Sequence, residues 1–182
     1  MEVTIDQAIE KIDGLLAALE NGMPVISEEI ATNALALVVN RIQGEGIAGK
    51  TYSTNKVPAF LFLLGGGKAL DTEKTRAFAR KKAKKNEETN WSEIRDAHGN
   101  QNRFVDLTFT GRMWQNTQVL DTKQVGNNYI TIIGGMDKEV KDKLKWNAAR
   151  YGDFLAVNEE EQKILAEIFE NRLTEILSKF LN

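Results

Sequence analysis

A chain of 182 residues suits a single domain and is long enough to bury a hydrophobic core. Its apolar fraction of 42% and charged fraction of 27% are typical of a soluble globular protein, and its net charge of −2 gives no general attraction to nucleic acid or anionic membranes. The lack of cysteine excludes disulfides, thiolate nucleophiles and zinc–thiolate sites. The N-terminal residues do not resemble a secretion signal, and no apolar run reaches the roughly 18–20 residues of a membrane span.

Two helices are predicted in the first quarter of the chain. Apolar residues recur at helical spacing from Ile5 to Leu19, Thr4 and Gln7 suit a capping box, and Gly22 is placed to end this first helix. Ser27 is a good N-cap for the second helix, whose apolar residues fall on one face as far as position 42.

The residues GEGIAGKT, positions 44–51, match the phosphate-binding loop pattern G-x-x-x-x-G-K-[ST]. Such a loop works when a buried strand leads into it and a helix begins at its lysine, so that backbone N–H groups surround the phosphates. Here a predicted helix precedes the motif, and Pro58 would break a following helix near its second turn. The match is interpreted as a coincidence, with Gly44 as a helix C-cap and Gly46 and Gly49 as loop residues. An NTPase acting through 44–51 stays the weakest alternative.

Residues 44–102 are predicted to leave the core as an extended loop or arm inserted into a single domain, 1–182, because regular periodicity breaks down there. The exception is one charged helix over 72–85. Such a helix could follow a phosphate backbone, although most charge runs are solvated helix surfaces. Its predicted contacts with DNA or a partner protein are Arg76, Arg80, Lys81, Lys82, Lys84 and Lys85.

After residue 103 the pattern indicates strands. FVDLTFTGRMW alternates from Phe104, and TQVLDTKQV and YITIIGG flank residues 126–128, which predicts a hairpin with a three-residue turn. A helix is predicted over 137–151, and a final amphipathic helix begins at Asn158 and Glu161. The expected fold class is α+β, with helices packed on one face of a small antiparallel sheet.

No catalytic, metal-binding or cofactor-binding residue is predicted. His98 is the only histidine, and one imidazole with no second base near it in sequence does not build a metal site or a nucleophile pair. Most carboxylates fall on helix surfaces or in first turns. Trp114 and Trp146 stand beside polar residues and suit an assembly interface, although core packing is an equal alternative for Trp114.

From about Phe109 onward, the order of these signals resembles the phage virion-morphogenesis family of small neck proteins, also called tail-completion or head–tail joining proteins. LTFTGRMWQNT matches the family's lead into a Thr-Gly turn, VGNNYITIIGG its β-hairpin and KEVKDKLKWNAAR the helix that follows. RYGDFLAVNEEE matches its Arg-aromatic link, and EQKILAEIFENRLTEIL matches its closing helix. The resemblance covers the second half of the chain well and the first half loosely.

The resemblance implies a structural virion protein and not an enzyme, made in the host bacterial cytoplasm and placed at the neck or tail junction. Copies would form a homo-oligomeric ring and meet other neck, connector and tail-tube proteins and the genomic DNA in the lumen, with no membrane contact and no cofactor. A DNA-binding accessory protein that uses the helix over 76–85 is the alternative. The predicted assembly or turn positions are Gly111, Trp114, Trp146, Arg150 and Tyr151.

Overall fold

The computed structural model describes residues 4–67, 70, 72–108 and 110–181. Over these ranges the fold class is α+β, as predicted, with two separate two-stranded antiparallel sheets. The α-helices are α1 (Ile5–Gly44), α2 (Glu73–Lys84), α3 (Trp91–His98), α4 (Arg112–Gln115), α5 (Lys138–Tyr151) and α6 (Glu159–Leu181). The strands are β1 (Val57–Pro58), β2 (Glu88–Thr89), β3 (Thr117–Val125) and β4 (Asn128–Gly135), and a 3-10 helix spans Ala59–Gly67.

The first two predicted helices are one continuous helix of 40 residues, α1, so the predicted end at Gly22 and the predicted N-cap at Ser27 are wrong. Gly22 faces α6, where an added Cβ would lie 2.7 Å from Ile176 Cδ1, so this glycine permits close helix packing. Ser27 lies inside the helix and shares a 2.8 Å hydrogen bond with Thr131. Pro24 also lies inside α1, where it removes one backbone donor without ending the helix.

The capping box predicted at Thr4 and Gln7 is present, and Asn158 and Glu161, predicted to begin the last helix, form a second one. Thr4 and Gln7 exchange hydrogen bonds of 3.0 and 3.3 Å between backbone N–H groups and side chains at the start of α1. Asn158 and Glu161 do the same before α6, with both hydrogen bonds at 2.8 Å. These four side chains satisfy backbone donors that a helix N-terminus otherwise leaves free, which fixes where each helix begins.

Helix α6 lies antiparallel along α1. Arg41 pairs with Glu161 at 2.7 Å, and Arg172 near the other end of α6 pairs with Glu29 at 2.8 Å. Burial raises the pKa of the Glu161 carboxyl. Hydrogen bonds from Arg41 and from the Asn158 backbone lower the pKa by more than burial raises it, so the pKa lies below its ordinary value. Glu161 therefore stays ionised and keeps its ion pair well below neutral pH.

Strands β3 and β4 form the predicted hairpin. Asn128 pairs with Val125, so the turn contains Gly126 and Asn127 only, one residue fewer than predicted. Gly126 has a φ of 61°, a left-handed conformation that glycine adopts without strain. The hairpin turn is thus of the two-residue class.

One face of the hairpin packs on α1. The Thr131 hydroxyl lies 2.8 Å from the Ser27 hydroxyl and 3.0 Å from that of Thr122 on the neighbouring strand, so three hydroxyls join the sheet to the helix. Ile130 and Ile132 flank Thr131 and point to the opposite face, where they are 44% and 39% exposed. The outer face of the hairpin is therefore uncovered and mixed, because the exposed charged residues Asp121 and Lys123 stand opposite Ile132 and Ile130 on it.

The main core lies where the C-terminal half of α1 meets α4 and α5. Trp114 is 7% exposed, and its ring meets Phe154 edge-on at a centroid distance of 6.2 Å. The buried members of this cluster are Val38, Ile42, Met113, Trp114, Val140 and Phe154.

The strand predicted after residue 103 is not formed. Val105 exchanges backbone hydrogen bonds of 2.9 and 3.3 Å with residues 47 and 50, but no ladder continues from it. Leu107 has a φ of 53°, which is not an extended conformation. Asp106 is 6% exposed, although the alternation placed it on a solvent face. Phe109, the last apolar residue of the predicted strand, lies outside the described residues.

Most of the segment 44–102 is folded and contains the 3-10 helix, α2, α3 and the pair β1–β2. The predicted charged helix is α2, and Thr72 caps it by accepting a hydrogen bond from the Thr75 backbone. Leu70, Ala79 and Ile94 form a small buried cluster of the segment's own, with Phe62, Leu63, Phe78 and Trp91 packed around it.

Candidate functional site

The GEGIAGKT motif does not form a phosphate-binding loop. The last turns of α1 lead into it, and residues 51–56 after it have no regular structure, so both the strand and the helix of such a loop are missing there. Gly46 has a φ of 84°, and a Cβ at this position would lie 2.5 Å from the Phe104 ring. This glycine is explained by backbone conformation and packing. The NTPase alternative therefore lacks its structural basis.

A buried ion pair joins the segment 44–102 to the main body. Arg95 on α3 donates from Nη2 to both carboxylate oxygens of Asp106, at 2.8 and 3.0 Å. Gln101 and Tyr52 also donate to this carboxylate, at 2.7 and 2.8 Å. Each carboxylate oxygen therefore has at least two donors, which is the arrangement that a buried charge requires.

Tyr52 completes this network and closes it toward solvent. The Arg95 guanidinium lies 4.0 Å from the centre of the Tyr52 ring, within the range of a cation–π contact. Burial and the hydrogen bond to Asp106 raise the pKa of the Tyr52 hydroxyl above its ordinary value, outweighing the opposite effect of Arg95. The hydroxyl thus remains a hydrogen-bond donor throughout the physiological pH range.

A cleft of about 810 Å³ opens beside this network, between α5, the turn before α4 and the loop after α1. Four aromatic residues line it: Tyr52, Trp91, Trp146 and Tyr151. Trp146 is 58% exposed, whereas tryptophan side chains are usually mostly covered. The volume falls within the range of ordinary binding clefts, and exposed aromatic rings are typical of surfaces that become buried on association.

The charged residues of the cleft are mostly basic. The carboxylate among the residues that line the cleft is Glu139. A hydrogen bond from Lys143 at 2.8 Å lowers the pKa of Glu139, and Arg112 at 3.4 Å lowers it as well. Arg150 forms no ion pair with another residue that the structure describes, and its guanidinium lies 5.3 Å from the Trp146 ring and 5.5 Å from the Tyr151 ring. The rim therefore has three cations, Glu139 and, beside Arg112 at 3.5 Å, Asp137, next to exposed aromatic surface.

Four of the five predicted assembly or turn positions meet at this cleft: Gly111, Trp146, Arg150 and Tyr151. Gly111 has a φ of 75° and immediately precedes α4, in agreement with its predicted role as a tight turn. Trp114 is the exception, because its ring is buried and its Nε1 donates to the Asp106 carbonyl at 3.3 Å. Its ring packs in the core, which is the alternative predicted for this residue, and it does not line the cleft.

Sequence reasoning missed the residues that complete the cleft from other segments. Tyr52 and Arg95 line the cleft and meet at Asp106 behind it, which lies 54 positions from Tyr52, so they belong to no recognisable spacing. Arg112, Glu139 and Lys143 look like ordinary exposed helix charges in the sequence. A local pattern holds no signal for them, since the fold alone brings them together.

The structure divides the six predicted basic residues, five on α2 and Lys85 at its C-cap, into three groups. Arg76 donates to the Leu70 carbonyl at 2.7 Å, and Lys82 pairs with Glu93 at 2.6 Å, so both serve local packing. Lys85 lies 3.8 Å from Glu87 in an exposed pair. Arg80, Lys81 and Lys84 are exposed and form no ion pair with any described residue. These last three are the part of the predicted contact that is free to bind an anion.

The first turns of α1 expose a stripe of large apolar side chains, here called the ledge. Its members are Ile5, Ile9, Ile12 and Leu16, exposed by 80%, 52%, 56% and 53%. The same helical stripe is half-buried further along, at Leu15 and Leu19. Contiguous exposed apolar surface of this kind marks a contact site in a folded protein.

Length and composition alone would allow one helix of the described part of the chain, α1, to cross a membrane. Core helices of soluble proteins pass the same test, although only 11% of the apolar window of α1 is buried, and α1 packs against α6 and the hairpin. Among the residues that the structure describes, no group of three or more His, Asp or Glu side chains could hold a metal ion.

In comparisons with protein-family models, curated proteins and solved structures, nothing matches this chain.

Proposed function

We propose that this chain is a structural subunit of a tailed-phage virion, made in the host cytoplasm and built into the neck or the tail-completion ring. The motif order that suggests this role corresponds to the hairpin β3–β4, helix α5, a short link and the closing helix α6. The role rests on surfaces that bind other subunits, and the proposal includes no catalytic step.

One observation carries the proposal: a single subunit exposes apolar and aromatic side chains on several different elements. They are the ledge on α1, the isoleucines Ile130 and Ile132 on the outer face of the hairpin, and the aromatic cleft beside α5. A closed ring needs two unlike surfaces that complement each other on neighbouring subunits. A monomer that acted alone would gain nothing from this much uncovered apolar area.

Immunogold labelling tests the proposed location. Antibodies raised against the purified chain are expected to label the head–tail junction of virions of the phage whose genome encodes it, with one cluster of gold per particle. Antibodies against a capsid protein serve as the control and should label the shell. Virions that lack the chain, or that contain it only in the shell, would refute the proposal.

The exposed basic residues of α2 favour a second candidate, a contact with duplex DNA through phosphates. Each phosphate contact contributes about 0.9 to the slope of log affinity against log salt concentration, so replacing Arg80, Lys81 and Lys84 with alanine is expected to lower that slope by roughly 3. The measurement is a fluorescence titration of labelled duplex DNA between about 50 and 200 mM salt. A triple alanine variant of Lys138, Lys141 and Lys145 on α5 makes the same change in net charge. Equal slopes in the two variants would contradict a role for α2.

A further inference from the structure

We infer that the ledge on α1 of one copy docks into the aromatic cleft of a second copy. This inference rests on the proposed function and deepens it, because it names the two surfaces that meet at the subunit contact. The occupant of the cleft is therefore a helix of this same chain.

The ledge is the uncovered continuation of a packed helix face. Gly14 on α1 lies opposite Phe180, whose ring would be 3.3 Å from an added Cβ, and α6 ends one residue after Phe180. The two to three turns of α1 before Gly14 have no such cover, and there Ile5, Ile9 and Ile12 are each at least half exposed. A second protein surface is needed to bury these side chains.

The cleft can receive them. Its volume of about 810 Å³ accommodates several branched aliphatic side chains, and Trp146, Tyr151 and Trp91 provide apolar walls. An amphipathic helix that inserts spaced apolar residues into a groove is a common mode of protein recognition. The ledge residues follow that spacing, at positions i, i+4, i+7 and i+11.

The charges of the two surfaces are complementary. The ledge turns carry Asp6, Glu10 and Asp13 against a single lysine, Lys11. The cleft has the opposite balance, because Arg112, Lys143 and Arg150 outnumber Glu139 and Asp137, the two carboxylates that pair with Arg112. This complementarity favours the ledge over a neutral or basic helix as the occupant.

The contact has to be intermolecular. Met113, which lines the cleft, packs in one cluster with Val38 and Ile42 near the C-terminal end of α1. The ledge residue Ile9 precedes Val38 by 29 positions in the same helix, which corresponds to roughly 40 Å along its axis. A subunit cannot reach its own cleft, and two unlike surfaces that meet in this way propagate from copy to copy.

Site-directed crosslinking tests the contact, because the natural chain contains no cysteine. One preparation carries Ile9→Cys on the ledge, and a second, with a tag of different mass, carries Ser53→Cys in the cleft. After mixing and treatment with a short bis-maleimide, crosslinked heterodimers are expected at a yield at least five times that of the control pair. The control replaces Ile9→Cys by Ala17→Cys, an exposed position off the ledge stripe. Equal yields for the two pairs, or a product dominated by Ile9→Cys homodimers, would overturn the inference.

A charge exchange separates docking from a loss of folding. Glu10→Lys with Asp13→Lys in the ledge partner is expected to lower the heterodimer yield several-fold, as is Lys143→Glu with Arg150→Glu in the cleft partner. Combining the two altered partners should restore the yield, which a merely unfolded variant would not do. Absence of this recovery would count against the contact.

The docking and the virion role fail separately. Virions labelled at the junction without a ledge–cleft crosslink would refute the docking alone, whereas crosslinking with unlabelled virions would refute the virion role alone.

Discussion

Replacement of Asp106 by alanine is expected to lower the free energy of unfolding by about 3–5 kcal/mol, because it leaves a charged arginine buried without its carboxylate. The Arg95 and Asp106 side chains are 3% and 8% exposed, and the carboxylate also accepts hydrogen bonds from Tyr52 and Gln101. The variant would leave several buried hydrogen-bond donors without an acceptor. Urea denaturation followed by tryptophan fluorescence and circular dichroism measures the loss.

Arg112→Ala is the matched control for an ion pair that is exposed. Arg112 is 53% exposed and faces Asp137 and Glu139 at 3.5 and 3.4 Å. Exposed pairs contribute about 0–1 kcal/mol, so this variant should unfold close to the natural chain. If Asp106→Ala proved as stable as Arg112→Ala, the buried pair would not hold the segment 44–102 to the core.

The two tryptophans predicted as assembly contacts are expected to respond in opposite ways to substitution. Trp114→Ala should cost about 3–5 kcal/mol of unfolding free energy, the usual cost of removing a large buried ring, because Trp114 is 7% exposed and contacts Phe154. Trp146→Ala should change stability by less than about 1 kcal/mol, because its ring is 58% exposed.

Thermal and urea unfolding of the two variants, side by side, measures the difference. Trp146→Ala should keep the fold and lose the ledge–cleft crosslink, whereas Trp114→Ala should lose the fold first. A Trp146→Ala protein as unstable as Trp114→Ala would show that Trp146 belongs to the core, and the cleft would then lack its main exposed ring.

Elements with a complete local signal were predicted from the sequence. The hairpin has alternating strands on both sides of Gly126 and Asn127, and α6 has its cap in Asn158 and Glu161. Each of these signals involves residues only a few positions apart, so it does not depend on contacts with the rest of the fold. The turn length was wrong by one residue because strand pairing, and not composition, decides where a turn ends.

Local patterns mislead where the structure depends on distant partners. Gly22 fits the pattern of a helix end, whereas in the fold it makes room for Ile176 of α6. The alternation after Phe104 suggested a strand, but Asp106 is turned inward by Arg95, which lies on another element. The same limit applies to the cleft: Trp146, Arg150 and Tyr151 are predicted as separate positions, and no local pattern predicts that they line one cleft with Tyr52 and Trp91.

The unbroken length of α1 would fix the geometry of any ring that the chain builds. Forty helical residues span about 60 Å, and the ledge lies near one end of α1 while the cleft lies near its other end. The angle between successive copies would then be set inside each subunit, by the stretch of α1 between the ledge and Val38.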